Sequence, residues 1–217
     1  WYSSHRKLNG LEAAKTIGQK AADRTLRRLG AKQVKTQEAP VIFEPEMAAS
    51  LLRHLAGAVC GSSLYRKTSF LLDKIDQKIA ANGIFIEDNA RIPSALGSKP
   101  FDGEGLPTRQ TIVVENGVLK SYLLDSYSAR KLGLQSTGNA NRSFADAPSA
   151  SPSNLFFQPG TTAPEEIIRS VQSGLYVTEL SGFGVNPITG DYSRGAVGLW
   201  IENGELTYPV EEITIAG

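Results

Sequence analysis

Residues 51–61, LLRHLAGAVCG, place His54, one of two histidines, six residues before Cys60, the only cysteine. Two chemistries use such residues: a metal centre, and a thiolate nucleophile activated by a neighbouring base. On a helix, six residues at ~100° each turn Cys60 about 240° away from His54, so the side chains face different sides. Zinc needs three or four donors, and the other histidine, His5, lies in the front segment. The expectation is a partly exposed histidine and a small buried thiol at a helix end. A serine triad would need one of the same two histidines as its base, and no serine stands on a recognisable elbow. The stretch SGFGVNPITG (181–190) has phosphate-loop glycines but no helix pattern after it, so it reads as a loop between strands. Asp102 and Glu104, in DGEG, could recruit a divalent cation or act as an acid–base pair; such turn carboxylates are more commonly solvated.

These residues sit on elements that the pattern predicts. Leu11, Ala14, Ile17, Ala21, Thr25 and Leu29 recur at helical spacing, with Gly30 as the stop. PVIFE (40–44) reads as a strand. A second helix follows, with Pro45 in its first turn, Gly61 at its end, and Met47, Leu51, Leu55, Ala58 and Val59 on its buried face. Ile84–Ile86 reads as a strand and 100–110 as a loop punctuated by glycine and proline. Asn116-Gly117 and Asn203-Gly204 each interrupt an alternating apolar run, which predicts two hairpins with type I′ turns. Helices are expected near 126–132, ended by Gly133, and over 163–172. Residues 135–160 show no periodicity, and a stretch of that length is either disordered or functional. The fold class is α+β: antiparallel and β-rich, partly barrel- or sandwich-like, with helices mainly in the N-terminal part.

Of the 217 residues, 41% are apolar and 21% charged, which marks a globular chain. No apolar run approaches the ~20 residues of a membrane span. One cysteine gives no internal disulfide framework, so the cytoplasm is the expected compartment. The chain opens at Trp1 and its only methionine is Met47, which suggests a piece of a longer protein. Net charge is +1, but residues 1–36 are strongly basic, with nine Lys and Arg against Glu12 and Asp23. Without interleaved aromatics this segment reads as a solvated helix face, and nucleic acid as an unlikely partner. The expected domains are this basic segment, 1–36, and a main domain, 37–217.

Several long strings resemble one family in order: FEPEMAASLLRHLAGAVCG (43–61), PFDGEGLPTRQTIVVENGVLKSYLLDSYSARKLG (100–133), TGNANRSFADAPSASPSNLFFQPG (137–160), and GLYVTELSGFGVNPITGDYSRGAVGLWIENGELTYPV (174–210). They are similar to the C-terminal domain of the TldD/PmbA (TldE) family, metallopeptidase-related proteins also called modulators of DNA gyrase, and to its PmbA branch more than its TldD branch. In the TldD branch the second helix bears His-Glu-x-x-x-His, whose histidines bind zinc. The matching positions here are Arg53, His54 and Ala58, all changed. The resemblance therefore implies no catalytic residue and no metal ligand in this chain, with zinc held by a TldD-type partner. It implies a peptide-processing heterodimer, or a homodimer, handling extended or unfolded peptides without a membrane. Thr137, Asn139 and Arg142 are the candidate peptide-channel or interface contacts. The alternatives are a peptidase active alone, through carboxylates such as Asp102 and Glu104, and a gyrase-binding modulator acting through residues 6–35.

Overall fold

Both Asn-Gly pairs adopt positive φ in the computed structural model, which describes residues 1–217: 49° and 81° at Asn116-Gly117, 52° and 80° at Asn203-Gly204. Each makes the two-residue turn of an antiparallel hairpin, β3 (Gln110–Glu115) with β4 (Val118–Leu119), and β9 (Ser193–Glu202) with β10 (Glu205–Ala216). A Cβ on Gly117 would lie 2.4 Å from the carbonyl oxygen of Ala80, whereas at Gly105, also at positive φ, it would meet open space. Gly117→Ala is therefore expected to cost about 1–3 kcal/mol and Gly105→Ala about 1 kcal/mol or less, read from urea unfolding.

The chain forms two units. The first comprises 1–50, 161–185 and 191–217; the second comprises 51–160 and 186–190. In the first, the sheet order is β1 (Val41–Phe43), β8 (Ser173–Ser181), β9, β10. β1 joins β8 in parallel, and the other pairs are antiparallel. Leu175, Val177, Trp200 and Val210 are buried on this sheet, with Phe43, Met47 and Tyr208 packed beside them. Lys32 closes the outer edge of β10, donating its N–H to the Pro209 carbonyl and accepting from Glu211 N–H. The short helix α5 (Pro164–Arg169) begins at a proline, as its sequence predicts.

The first helix, α1 (Ala14–Leu26), forms where the apolar spacing predicts it, but its apolar stripe is not buried. It buries none of its residues, and Leu11, Leu26 and Leu29 are exposed. Charge holds it instead. Arg24 and Arg27 both reach Glu44, at 2.7 and 3.1 Å, and Arg28 reaches Glu179 at 2.7 Å. Lys20 and Arg24 lie over the ring of Trp1. The helix ends at Leu26, and Gly30, at φ 76°, closes the turns after it rather than the helix itself.

In the second unit the sheet order is β4, β3, β2 (Ile86–Asn89), β7 (Leu155–Phe157). Its core gathers Val59, Leu64, Val113, Leu119, Leu123 and Leu124. Helix α2 (Pro45–Val59) starts in the first unit and runs into the second. Met47, Leu51 and Leu55 are only half-buried, while Leu52, Ala56, Ala58 and Val59 are buried. The helix stops because Cys60 is extended: Leu123 donates to the Val59 carbonyl and accepts from Gly61 N–H. Gly61 thus opens the next helix, α3 (Gly61–Tyr65), where the sequence suggested a closing cap. A side chain at Gly61 would collide with Ser128 of α4 (Ser126–Leu132). Asp125 caps α4 and Gly133 ends it at φ 67°.

Two strand assignments move. The predicted strand 84–86 lies instead at 86–89, because the main chain pairs through Ile86, Glu87 and Asp88. Residues 135–160, read as aperiodic, contain β7 and a small hairpin, β5 (Ala140–Asn141) with β6 (Ser149–Ala150). The architecture is α+β with mainly antiparallel open sheets, and no barrel closes. No helix is long and apolar enough to cross a membrane.

Candidate functional site

The α2 motif positions do not converge. Arg53 is exposed, His54 half-buried, and Ala58 is 1% exposed among core side chains. Five residues at ~100° separate positions 53 and 58 by about 140° around the axis, so donors at both would face solvent and core respectively. Arg53 is a cation with no lone pair, and Ala58 has no donor atom. Nowhere do three or more His, Cys, Asp or Glu side chains gather so as to hold a metal ion. The family's zinc therefore does not fit the donor set of this helix.

Cys60 is buried, and burial pushes its thiol up to about 12, with the Asp88 and Asp125 charges adding to the effect. A thiol in that state supplies almost no thiolate near neutral pH. In native protein at pH 8, Cys60 is expected to react with a disulfide reagent at least ~100-fold more slowly than in urea. Labelling at the same rate in both states would show that the thiol is accessible. The raised value also sets a stability sign. The contribution is complete below the thiol's unfolded pKa and is lost as pH rises from there toward 12.

The carboxylates of the 100–110 loop are occupied. Asp102 is buried; one oxygen accepts Glu104 and Leu106 N–H, both at 2.9 Å, and the other accepts Ala140 N–H at 3.1 Å. Glu104 accepts Ser126 N–H at the start of α4. Each carboxylate thus fixes main chain, and the two do not form a shared cation site.

Of the three residues proposed from 135–160, the structure brings two together. Thr137 Oγ1 donates to Asn139 Oδ1 at 2.7 Å, and also accepts Leu124 N–H at 2.7 Å. Asn139 Nδ2 donates to Asp88 Oδ2 at 2.6 Å. Asp88 Oδ1 in turn accepts Ser153 N–H at 2.7 Å. Asp88 is 1% exposed and Asn139 2%. This chain of bonds pins both ends of the 137–153 excursion to β2. Arg142 stands apart, exposed on the loop beyond β5 that carries the fully exposed Phe144.

Burial pushes the Asp88 carboxyl upward, against the pull of Asn139, the Ser153 and Asn154 main chain, and the Lys99 charge. Asp88 was not singled out in the sequence, although an acidic pair inside an otherwise apolar strand, IFIEDN, is its signal. A buried carboxylate on a strand needs donors, and the Asn-rich stretch 137–154 is where they lie.

Residues 36–217 match the family described as the PmbA/TldA metallopeptidase C-terminal domain. The whole chain is 44% identical to the metalloprotease PmbA of Escherichia coli O157:H7, spanning 46% of that protein. Among solved structures, it superposes with a TM-score of 0.90 and 36% identity on a candidate modulator of DNA gyrase from Bacteroides thetaiotaomicron, covering 100% of this chain and 47% of that one. With TldE from Thermococcus kodakarensis the TM-score is 0.87 at 30% identity, covering 99% and 49% of the two chains. The chain thus spans about half the length of the relatives it matches. Sequence motifs, fold and these likenesses agree: the chain belongs to the PmbA/TldD metallopeptidase family and corresponds to its C-terminal domain.

Proposed function

We propose that this chain is the C-terminal domain of a PmbA/TldE-type subunit that lacks its own zinc site and works with a TldD-type subunit on extended or unfolded peptides. The observation that carries this reading is α2 itself. The helix is kept in a metallopeptidase family, yet it presents Arg53, His54 and Ala58, with Ala58 built into the core. In the proposed complex the partner supplies the metal's Lewis acidity and activated water. This chain supplies surface for the peptide and for the partner.

The other readings find less support. A peptidase active alone would need free carboxylates, and those of Asp102 and Glu104 are bonded to main chain. A nucleic-acid contact through the basic front segment would draw on its cations, and four of them, Lys20, Arg24, Arg27 and Arg28, are already paired with Glu12, Glu44 and Glu179.

The test uses the full-length protein, alone and mixed with a TldD-type chain. Size-exclusion chromatography, zinc content and hydrolysis of an unstructured peptide are followed together. The expected result is a mixed complex and peptide cleavage only in the mixture, with zinc bound to the TldD-type chain. Cleavage by the full-length protein alone, or no complex in the mixture, would overturn the proposal.

A further inference from the structure

The second unit carries a cationic cavity that neither the motif positions nor the partner reading uses. It measures about 370 Å³ and is lined by Arg91 and Arg109, with Leu106, Pro107 and Ser136 among its walls. No carboxylate lines it. The chain's ion pairs engage Lys20, Arg24, Arg27, Arg28 and Lys120, and leave these two arginines out.

Both guanidinium groups are nevertheless held in place. Arg91 donates from Nε to the Thr108 carbonyl at 2.7 Å. Arg109 donates from Nε to the Thr137 carbonyl at 3.1 Å, and from Nη2 to the Ser136 carbonyl. Carbonyl oxygens orient a guanidinium without cancelling its charge. Of five N–H donors each, Arg91 keeps four and Arg109 keeps three for another acceptor. The frame behind them is rigid. Thr108 is buried and bonded to the Lys99 carbonyl. Gly138, at φ 72°, lets the bend before β5 approach Pro107 so closely that a Cβ would stand 2.6 Å from that carbonyl oxygen. The Thr137–Asn139–Asp88 chain anchors the same wall.

Two oriented forks, exposed apolar walls and no internal counter-ion suit a carboxylate carried by a peptide. We propose that the Arg91–Arg109 cavity is a carboxylate subsite that binds an acidic side chain or the C-terminal carboxylate of a peptide. It rests on the peptide-handling reading above and adds a substrate class to it.

The test is binding by fluorescence anisotropy to the full-length protein at low salt. One probe is an alanine tetrapeptide ending in glutamate with a free C-terminus, its N-terminus acylated by an uncharged BODIPY dye. The other is its neutral counterpart, ending in glutamine amide. The acidic probe is expected to bind about 10-fold or more tightly than the neutral one. That preference should vanish in Arg91→Gln/Arg109→Gln and survive in reduced form in Arg91→Lys/Arg109→Lys, which keeps the charge but loses the fork. Circular dichroism checks whether both variants fold; if the glutamine pair does not, the lysine pair alone decides, and an undiminished preference there overturns the subsite. Equal affinity for the two probes, or a preference that persists in the folded glutamine variant, also overturns it. Inorganic phosphate displacing the acidic probe more tightly than the probe itself binds overturns the choice of a carboxylate. Cleavage in the presence of a TldD-type chain is scored separately. Equal binding with cleavage rejects the subsite and keeps the partner reading; acidic preference without cleavage does the reverse.

Discussion

Asn139→Asp is expected to destabilise the protein by about 3–5 kcal/mol at neutral pH, the cost of leaving an uncompensated charge in a buried site. The substitution changes one nitrogen to oxygen and adds no volume, so packing does not account for the loss. The native Nδ2 lies 2.6 Å from Asp88 Oδ2, and both residues are almost fully buried. An aspartate there sets two carboxylates against each other with no donor between them. Lys99 is the charge that already acts on Asp88, and the Cys60 thiol is coupled to it; both stay in the variant. The pH dependence distinguishes this cause from general damage. Two carboxylates at that distance share a proton, so the loss shrinks as pH falls toward the carboxylate range. Urea unfolding of the two proteins at pH 7 and pH 5 measures it. A penalty that is the same at both values would mean that the pair does not face as described. In the native protein Asp88 has the same sign: its raised value makes its contribution greatest at acid pH, and lost as pH rises through that value.

The second large effect comes from trying to rebuild the zinc motif as Arg53→His/His54→Glu/Ala58→His. Position 58 is 1% exposed and lies in the core cluster with Leu52, Val59 and Leu123. An imidazole there overpacks a close-packed site and buries a polar ring, together about 3 kcal/mol or more. Position 53 faces solvent, so the new histidines diverge, and no third donor is gathered nearby. Expected are a clearly lowered urea midpoint and, after dialysis, less than about a tenth of a zinc per chain by elemental analysis, since zinc requires three or four ligands. One zinc per chain in the full-length variant would mean that α2 can turn its core face outward, which this packing argues against.

How much of this was legible in the sequence depended on range. The Asn-Gly turns, the Gly133 stop and the Pro45 and Pro164 starts could be read because each is fixed by the φ of one or two residues. Strings of family motif gave the family for the same reason, since they need no knowledge of contacts. α1 could be read as a helix from its apolar spacing, but not what holds it, since its arginines are tied to Glu44, a residue 17 to 20 positions away. Residues 135–160 looked irregular because their order comes from Asp88 and Asp102, each about 40 to 50 positions upstream. Asp102 and Glu104 looked like a cation pair because a sequence shows carboxylates without the N–H groups that occupy them. The same limit hid Arg91 and Arg109, whose two cations matter only where the fold places them in one cavity.

One feature of topology constrains the order of assembly. β1 pairs with β8 through Val41–Leu175 and Phe43–Val177, so the first unit's sheet joins strands more than 130 positions apart. All but five residues of the second unit lie between those strands. During synthesis, β1 leaves the ribosome long before its pairing partner exists, while nearly the whole of the second unit emerges in the interval. The early strand must wait, and it is three residues long and followed at once by a helix, which leaves little sticky edge to misassemble in the meantime.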